Sequence, residues 1–161
     1  MGSSWIQEKF PEHWFSYHIT LLEIYPIFVL LFVFAKKLVN ATITFHCDNE
    51  AVVTILNKQT SKNKLVMHVV RAIVCLQLQH NFCLKGRHIP GQANTLADNL
   101  SRFQVSSAML QQYGMQEIKT SVPAHLLPEN FYFNSKTCLV NLCNPPQPRP
   151  TSTTGTTSSA S

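Results

Sequence analysis

The chain holds two aspartates, Asp48 and Asp98, fifty residues apart, and both stand where a carboxylate is aimed at something. Asp48 ends the alternating stretch Ala41-Thr42-Ile43-Thr44-Phe45-His46-Cys47 and precedes an apolar helical run, Ala51 to Leu56. A carboxylate at a strand end, facing a helix start, projects from a rigid element into a crevice. Asp98 falls in the first turn of a second short helix that Asn94 can cap, with Leu96, Leu100 and Phe103 on its inner face. With Glu23 as a third, such carboxylates suit divalent metal ions and phosphodiester hydrolysis. That reaction must activate a water and stabilise a leaving oxygen, work for two ions about 3.5–4 Å apart. Magnesium favours oxygen ligands and leaves other positions to waters and substrate phosphate. Plainer readings stand beside these. Asp48 could simply cap the helix after it, Asp98 could be a favourable charge at a helix N-terminus, and the helix around Glu23 could be mis-assigned.

The elements that must position these groups follow from periodicity. Residues 41–48 read as a strand, with Ile43, Phe45 and Cys47 on one face and Thr42, Thr44, His46 and Asp48 on the other. Helices follow at 49–58 and, capped by Ser61, at 62–80. Phe82 to Ile89 reads as a second strand, Pro90-Gly91 as a turn and Asn94 to Phe103 as the last helix. Ahead of them, residues 1–18 read as irregular or as a strand remnant, with Trp14, Phe15 and Tyr17 as strand candidates. Ile19 to Ala35 is almost wholly apolar and closes on Lys36-Lys37. The order helix, strand, helix, helix, strand, helix predicts an α/β sheet with covering helices.

The apolar stretch 19–35 carries a rival reading as a membrane span. A bilayer crossing needs about 20 apolar residues. This stretch is shorter and holds Glu23 and Pro26 near its start. A lone carboxylate in lipid is costly, whereas a core helix with a metal at its end accounts for the same residues. The soluble helix is the preferred reading.

A chain of 161 residues fits one domain plus tails, and its 45% hydrophobic content is enough for a core. The net charge of +5 is concentrated in the middle: residues 36–102 hold nine basic side chains against Asp48, Glu50 and Asp98. A basic domain with a few clustered acids suits a polyanion that is held and cut, although an ordinary mildly basic surface has the same composition. Among the five cysteines there is no Cys-x-x-Cys pair and no His spacing typical of zinc. Cys47, Cys75 and Cys83 sit among apolar residues and read as reduced core cysteines of an intracellular protein, cytoplasmic or nuclear. Cys138 and Cys143 receive no role. Met1 to Tyr17 lacks the apolar core of a cleavable signal peptide. Residues 104–143 form a connector without a sustained period, and 144–161, rich in Pro and then Ser/Thr, read as a disordered tail.

Taken together, four segments resemble one family. His46-Cys47-Asp48-Asn49-Glu50-Ala51-Val52-Val53, then Ile55-Leu56-Asn57-Lys58, then His88-Ile89-Pro90-Gly91, then Asn94-Thr95-Leu96-Ala97-Asp98-Asn99-Leu100-Ser101-Arg102 look like the ribonuclease H half of a retrotransposon reverse transcriptase. They are most similar to elements that carry a tyrosine recombinase. Leu22-Glu23-Ile24-Tyr25-Pro26-Ile27 resembles the segment around the helical glutamate of those enzymes. The resemblance spans about residues 5–103, and its combined order and spacing are specific where any single piece is weak.

The resemblance implies a ribonuclease H-like α/β fold and cleavage of RNA in RNA–DNA hybrids. By it, Glu23 binds one magnesium or manganese ion from the helix after the third strand. Asp48 binds from the fourth strand, and Asp98 binds the other ion from the final helix. Asn49, Lys85, Arg87, His88 and Arg102 then become candidates for contact with nucleic acid, with no small-molecule cofactor. His88 also fits a histidine packed at a loop mouth, and the short turn Pro90 to Ala93 argues against giving it the role of the mobile-loop histidine of related enzymes. Arg102 meets phosphate or ends its helix favourably.

This sequence departs from the family in one respect. The family's site takes a further aspartate from its first strand, bridging both metals, and no aspartate precedes Asp48. The first two strands, and part of the third, have no counterpart in residues 1–18. Three carboxylates without the bridging one should hold metals poorly. The expectation is therefore an N-terminally incomplete domain, 5–103, from a polyprotein with a polymerase segment upstream and a recombinase downstream, inactive as an isolated chain. The rivals are a non-catalytic nucleic-acid-binding remnant and a small membrane-anchored protein using residues 19–35.

Overall fold

The structure, a computed structural model, describes residues 4–115 and 119–130. Its elements run α1 (Ile19–Phe34), β1 (Thr42–Cys47), α2 (Glu50–Lys58), α3 (Lys64–His80), β2 (Cys83–His88), α4 (Thr95–Ser101) and α5 (Ser107–Gln112). The expected order of helices and strands is present, and the fold is mixed α/β. The two strands pair directly and in parallel, in the register Thr42↔Cys83 through Cys47↔His88. Parallel neighbours need a long crossover between them, and α2 and α3 supply it.

Period-two alternation sorts the sheet into unlike faces. Ile43, Phe45 and Cys47 are half-buried and Leu84 is buried, all on the helical side. Thr42, Thr44, His46, Cys83, Lys85 and Arg87 are exposed on the other side. Cys83 is therefore a surface thiol rather than the core cysteine its apolar neighbours suggested, while Cys47 and Cys75 are half-buried and all three are free. The cause is register: Cys83 falls one residue out of phase with Leu84, so it points to the opposite face.

Helix ends follow local chemistry. Asn49 caps α2, its side chain accepting from the Ala51 and Val52 amides, so Asp48 does not act as that cap. Asn63 caps α3 in the same way, accepting from Leu65 and Val66. Ser61, the expected cap, instead accepts from the Asn63 amide at 3.2 Å and shapes the approach. Asn94 makes no side-chain cap bond to α4, and Phe103 lies beyond that helix with φ +57, 46% exposed.

The core forms around α1, which is apolar on nearly every side: Leu21, Ile24, Tyr25, Phe28 and Leu31 are fully enclosed. It packs mainly on α3, whose Val66, Val69, Ile73 and Leu76 form a single stripe. By length and composition, Ile19–Lys37 is also apolar enough to cross a membrane. Ahead of α1, two of the three strand candidates prove helical: Glu12–Ser16 is a 3-10 helix that buries Trp14 and leaves Phe15 exposed, and Tyr17 follows it in extended backbone. The connector contributes to the same core. Leu126 joins it with no exposed surface, while Leu110 of α5 is buried outside that cluster. The Tyr25 hydroxyl donates to the Leu126 carbonyl at 2.8 Å, and the Trp14 indole donates to the Pro128 carbonyl at 2.9 Å. The described unit thus extends past residue 103. Cys138, Cys143 and the tail 144–161 lie outside the described residues.

Candidate active site

Both strands end at the same level, because Cys47 pairs with His88. In open α/β sheets the crevice beyond the carboxyl ends of the strands is where ligands bind. Here the chain places Asp48 and Asn49 directly after β1, and Ile89, Pro90 and Gly91 directly after β2. The turn at Gly91 passes close to the carboxylate: a Cβ added there would stand 3.8 Å from Asp48 Oδ2. His88 closes the other side, with a ring nitrogen 3.2 Å from the Asp48 carbonyl.

Glu23 reaches this end from α1. Asn49 holds it: the Asn49 side-chain amide donates to Glu23 Oε2 while its carbonyl oxygen caps α2. One asparagine therefore ties α1 to the mouth of the sheet. Partial burial pushes the Glu23 carboxyl above the usual range, the Asn49 bond pulls it back, and the Asp48 charge nearby pushes it up again. Like charges held close in a half-dry place favour a proton or a cation between them. Burial also raises the Cys47 thiol, with the Asn49 amide donating to its sulfur at 3.4 Å and Asp48 and Glu23 adding repulsion. That thiol is a poor nucleophile.

Asp98 stands apart from this pair. Its Oδ1 accepts from Arg102 Nε at 3.0 Å, one turn along α4, and both side chains are exposed. Among the described residues, no group of three or more His, Cys, Asp or Glu is placed to hold a metal ion. Glu23 and Asp48 are the two carboxylates that this end of the sheet brings near each other. They do not make the four-carboxylate seat that two ions need. Of the expected nucleic-acid contacts, Asn49 and His88 stand with the carboxylate pair. Lys85 and Arg87 lie on the exposed face of β2, and Arg102 is turned to Asp98.

Nothing local in the sequence marks the space beside this site. A cavity of about 650 Å³ opens next to Glu23, walled by Pro26, Ile27 and Leu30 of α1, by Phe45 of β1 and by Leu100 and Phe103. Residues 6–10 form its rim, fixed by Gln7, whose side chain donates to the Leu100 carbonyl, and by Lys119, which donates to the Gln7 carbonyl at 2.9 Å. Only long-range contacts assemble these walls, so no spacing along the chain announces them. No protein-family model, curated protein or solved structure matches the chain.

Proposed function

We propose that this chain is a degenerate ribonuclease H-like module of a retrotransposon reverse transcriptase, one that engages RNA–DNA hybrid or related nucleic acid without cutting it. The observation that carries this reading is the Glu23–Asn49–Asp48 cluster at the carboxyl ends of two parallel strands. Glu23 and Asp48 would hold one magnesium or manganese ion there. When bound, such an ion supplies a Lewis acid and a water of lowered pKa. The chain's own groups do the rest: Asn49 orients Glu23, and His88 and the Gly91 turn border Asp48. Among the described residues no comparable seat for a second ion is formed, and Asp98 pairs instead with Arg102. Lys85 and Arg87, exposed side by side on β2, supply the positive charge that meets phosphate. Burial of α1 in the core supports the soluble reading over a membrane span.

The test uses a labelled RNA–DNA hybrid with magnesium and with manganese. The expected result is binding without cleavage. Affinity should fall with salt, and Lys85→Ala and Arg87→Ala should each reduce the salt slope by about 1. Affinity that stays flat across the salt series overturns the nucleic-acid reading. Sustained cleavage that vanishes in Asp48→Asn overturns the loss of activity.

A further inference from the structure

The two edges of the sheet are finished differently. Cys83 and Ile89 donate to the Ala41 and Cys47 carbonyls, so with period two Cys83, Lys85 and Arg87 turn their backbone groups toward β1. Leu84 and Gly86 face outward, and side chains close that outer edge. Gln77 Oε1 accepts from the Leu84 amide at 2.9 Å. Asn57 brackets Gly86, accepting from its amide at 2.8 Å and donating to its carbonyl at 2.9 Å.

The outer edge of β1 has no such finish. The same alternation turns the N–H and C=O groups of Thr42, Thr44 and His46 outward, and among the described residues none of them has a hydrogen-bond partner. The cavity lies on the helical side of this strand, where Phe45 forms one wall and Pro26, Ile27 and Leu30 of α1 form another. We infer that this edge accepts one extended strand from a partner polypeptide, apolar at alternate positions, whose backbone pairs with Thr42, Thr44 and His46 and whose apolar side chains fill the cavity.

The chemistry selects this occupant. Three donors and three acceptors at a period of two residues, aimed the same way, are the complement of a β-strand. A nucleic acid has no such alternation, and the cavity wall beside the edge is mostly apolar, its charged members being Glu8, Lys9 and Glu23. The inference does not rest on the nuclease reading, and its readout is independent of cleavage or nucleic-acid binding.

The experiment is amide hydrogen exchange on the full chain, with and without a synthetic heptapeptide of alternating Thr and Val. Exchange at Thr42, Thr44 and His46 should be fast in the free chain and should slow by about tenfold or more with peptide, while amides facing β2 change little. Thr44→Pro deletes an unpartnered N–H, so it should leave the melting transition in place and weaken peptide binding by about tenfold or more. Should that variant fail to fold, the same peptide N-methylated at alternate residues decides, because it should not bind. Absence of protection at saturating peptide, or equal binding by the N-methylated peptide, overturns the inference. So does slow exchange of the three amides in the free chain, which would mean that its own residues or a second copy already cover the edge.

Discussion

Asn49 is the residue on which the candidate site turns. It could be picked out in the sequence only as one letter of a motif, yet in the structure it caps α2 and holds Glu23 with the two ends of one side chain. Asp48 and Glu23 stand out in the sequence as carboxylates at the ends of apolar elements, and the structure brings them to the same end of the sheet. Asp98 was legible as a helix-start acid, and that is the state in which the structure leaves it, bonded to Arg102. The raised Glu23 carboxyl makes a prediction with a definite sign. Its stabilising contribution is fully present when it is protonated, below the ordinary carboxylate range, and is lost as pH rises through its higher folded value. Glu23→Gln should therefore melt higher than the parent at about pH 7, with the gap closing as pH falls below the normal carboxylate range. A gap that widens in acid would contradict the arrangement. Thiol labelling gives a second check: Cys83, exposed, should alkylate well ahead of Cys47, whose thiol burial and two nearby carboxylates hold protonated. Peptide mapping by mass spectrometry reads the order directly.

At the level of elements, alternation and apolar runs located both strands and the main helices, because these signals are local. Competing local choices were harder. Ser61 and Asn63 are both good caps two residues apart, and the helix begins after the one whose oxygen reaches two amides. Asn63→Ala should cost about 1 kcal/mol in denaturant unfolding, and Ser61→Ala much less. Aromatic density suggests a strand at Trp14 to Tyr17, but the backbone turns over Glu12–Ser16, burying Trp14 and leaving Phe15 exposed. Gly86 was unremarkable in the sequence. In the structure α2 crosses so near that a Cβ at Gly86 would meet the Val53 backbone at 3.2 Å. Gly86→Ala should destabilise by about 1–3 kcal/mol, because the atoms it strikes are main chain and cannot rotate aside. Unchanged unfolding in that variant would show that α2 sits further from β2.

For the whole molecule, the boundary suggested near residue 103 does not coincide with the end of packing. Leu126 is as deeply enclosed as any side chain on α1, and nothing in the irregular composition of 104–130 foretells it, because its partners are about a hundred positions away. Leu126→Ala should cost about 2–5 kcal/mol, a core-sized loss from a segment that reads as a connector. A loss near zero in thermal or urea unfolding would return that segment to the status of a linker.

The clasp from Trp14 to Pro128 and from Tyr25 to Leu126 also fixes an order of events in time. Its partners are separated by 114 and 101 positions, so during synthesis α1 emerges long before the residues that enclose it. Through that interval the nascent chain presents an almost wholly apolar helix with its aromatic neighbours uncovered. Contacts this distant form late and slowly. The period before Pro128 leaves the ribosome is thus when chaperones, aggregation or a membrane compete for the chain, and when the pace of translation decides which of them meets α1 first.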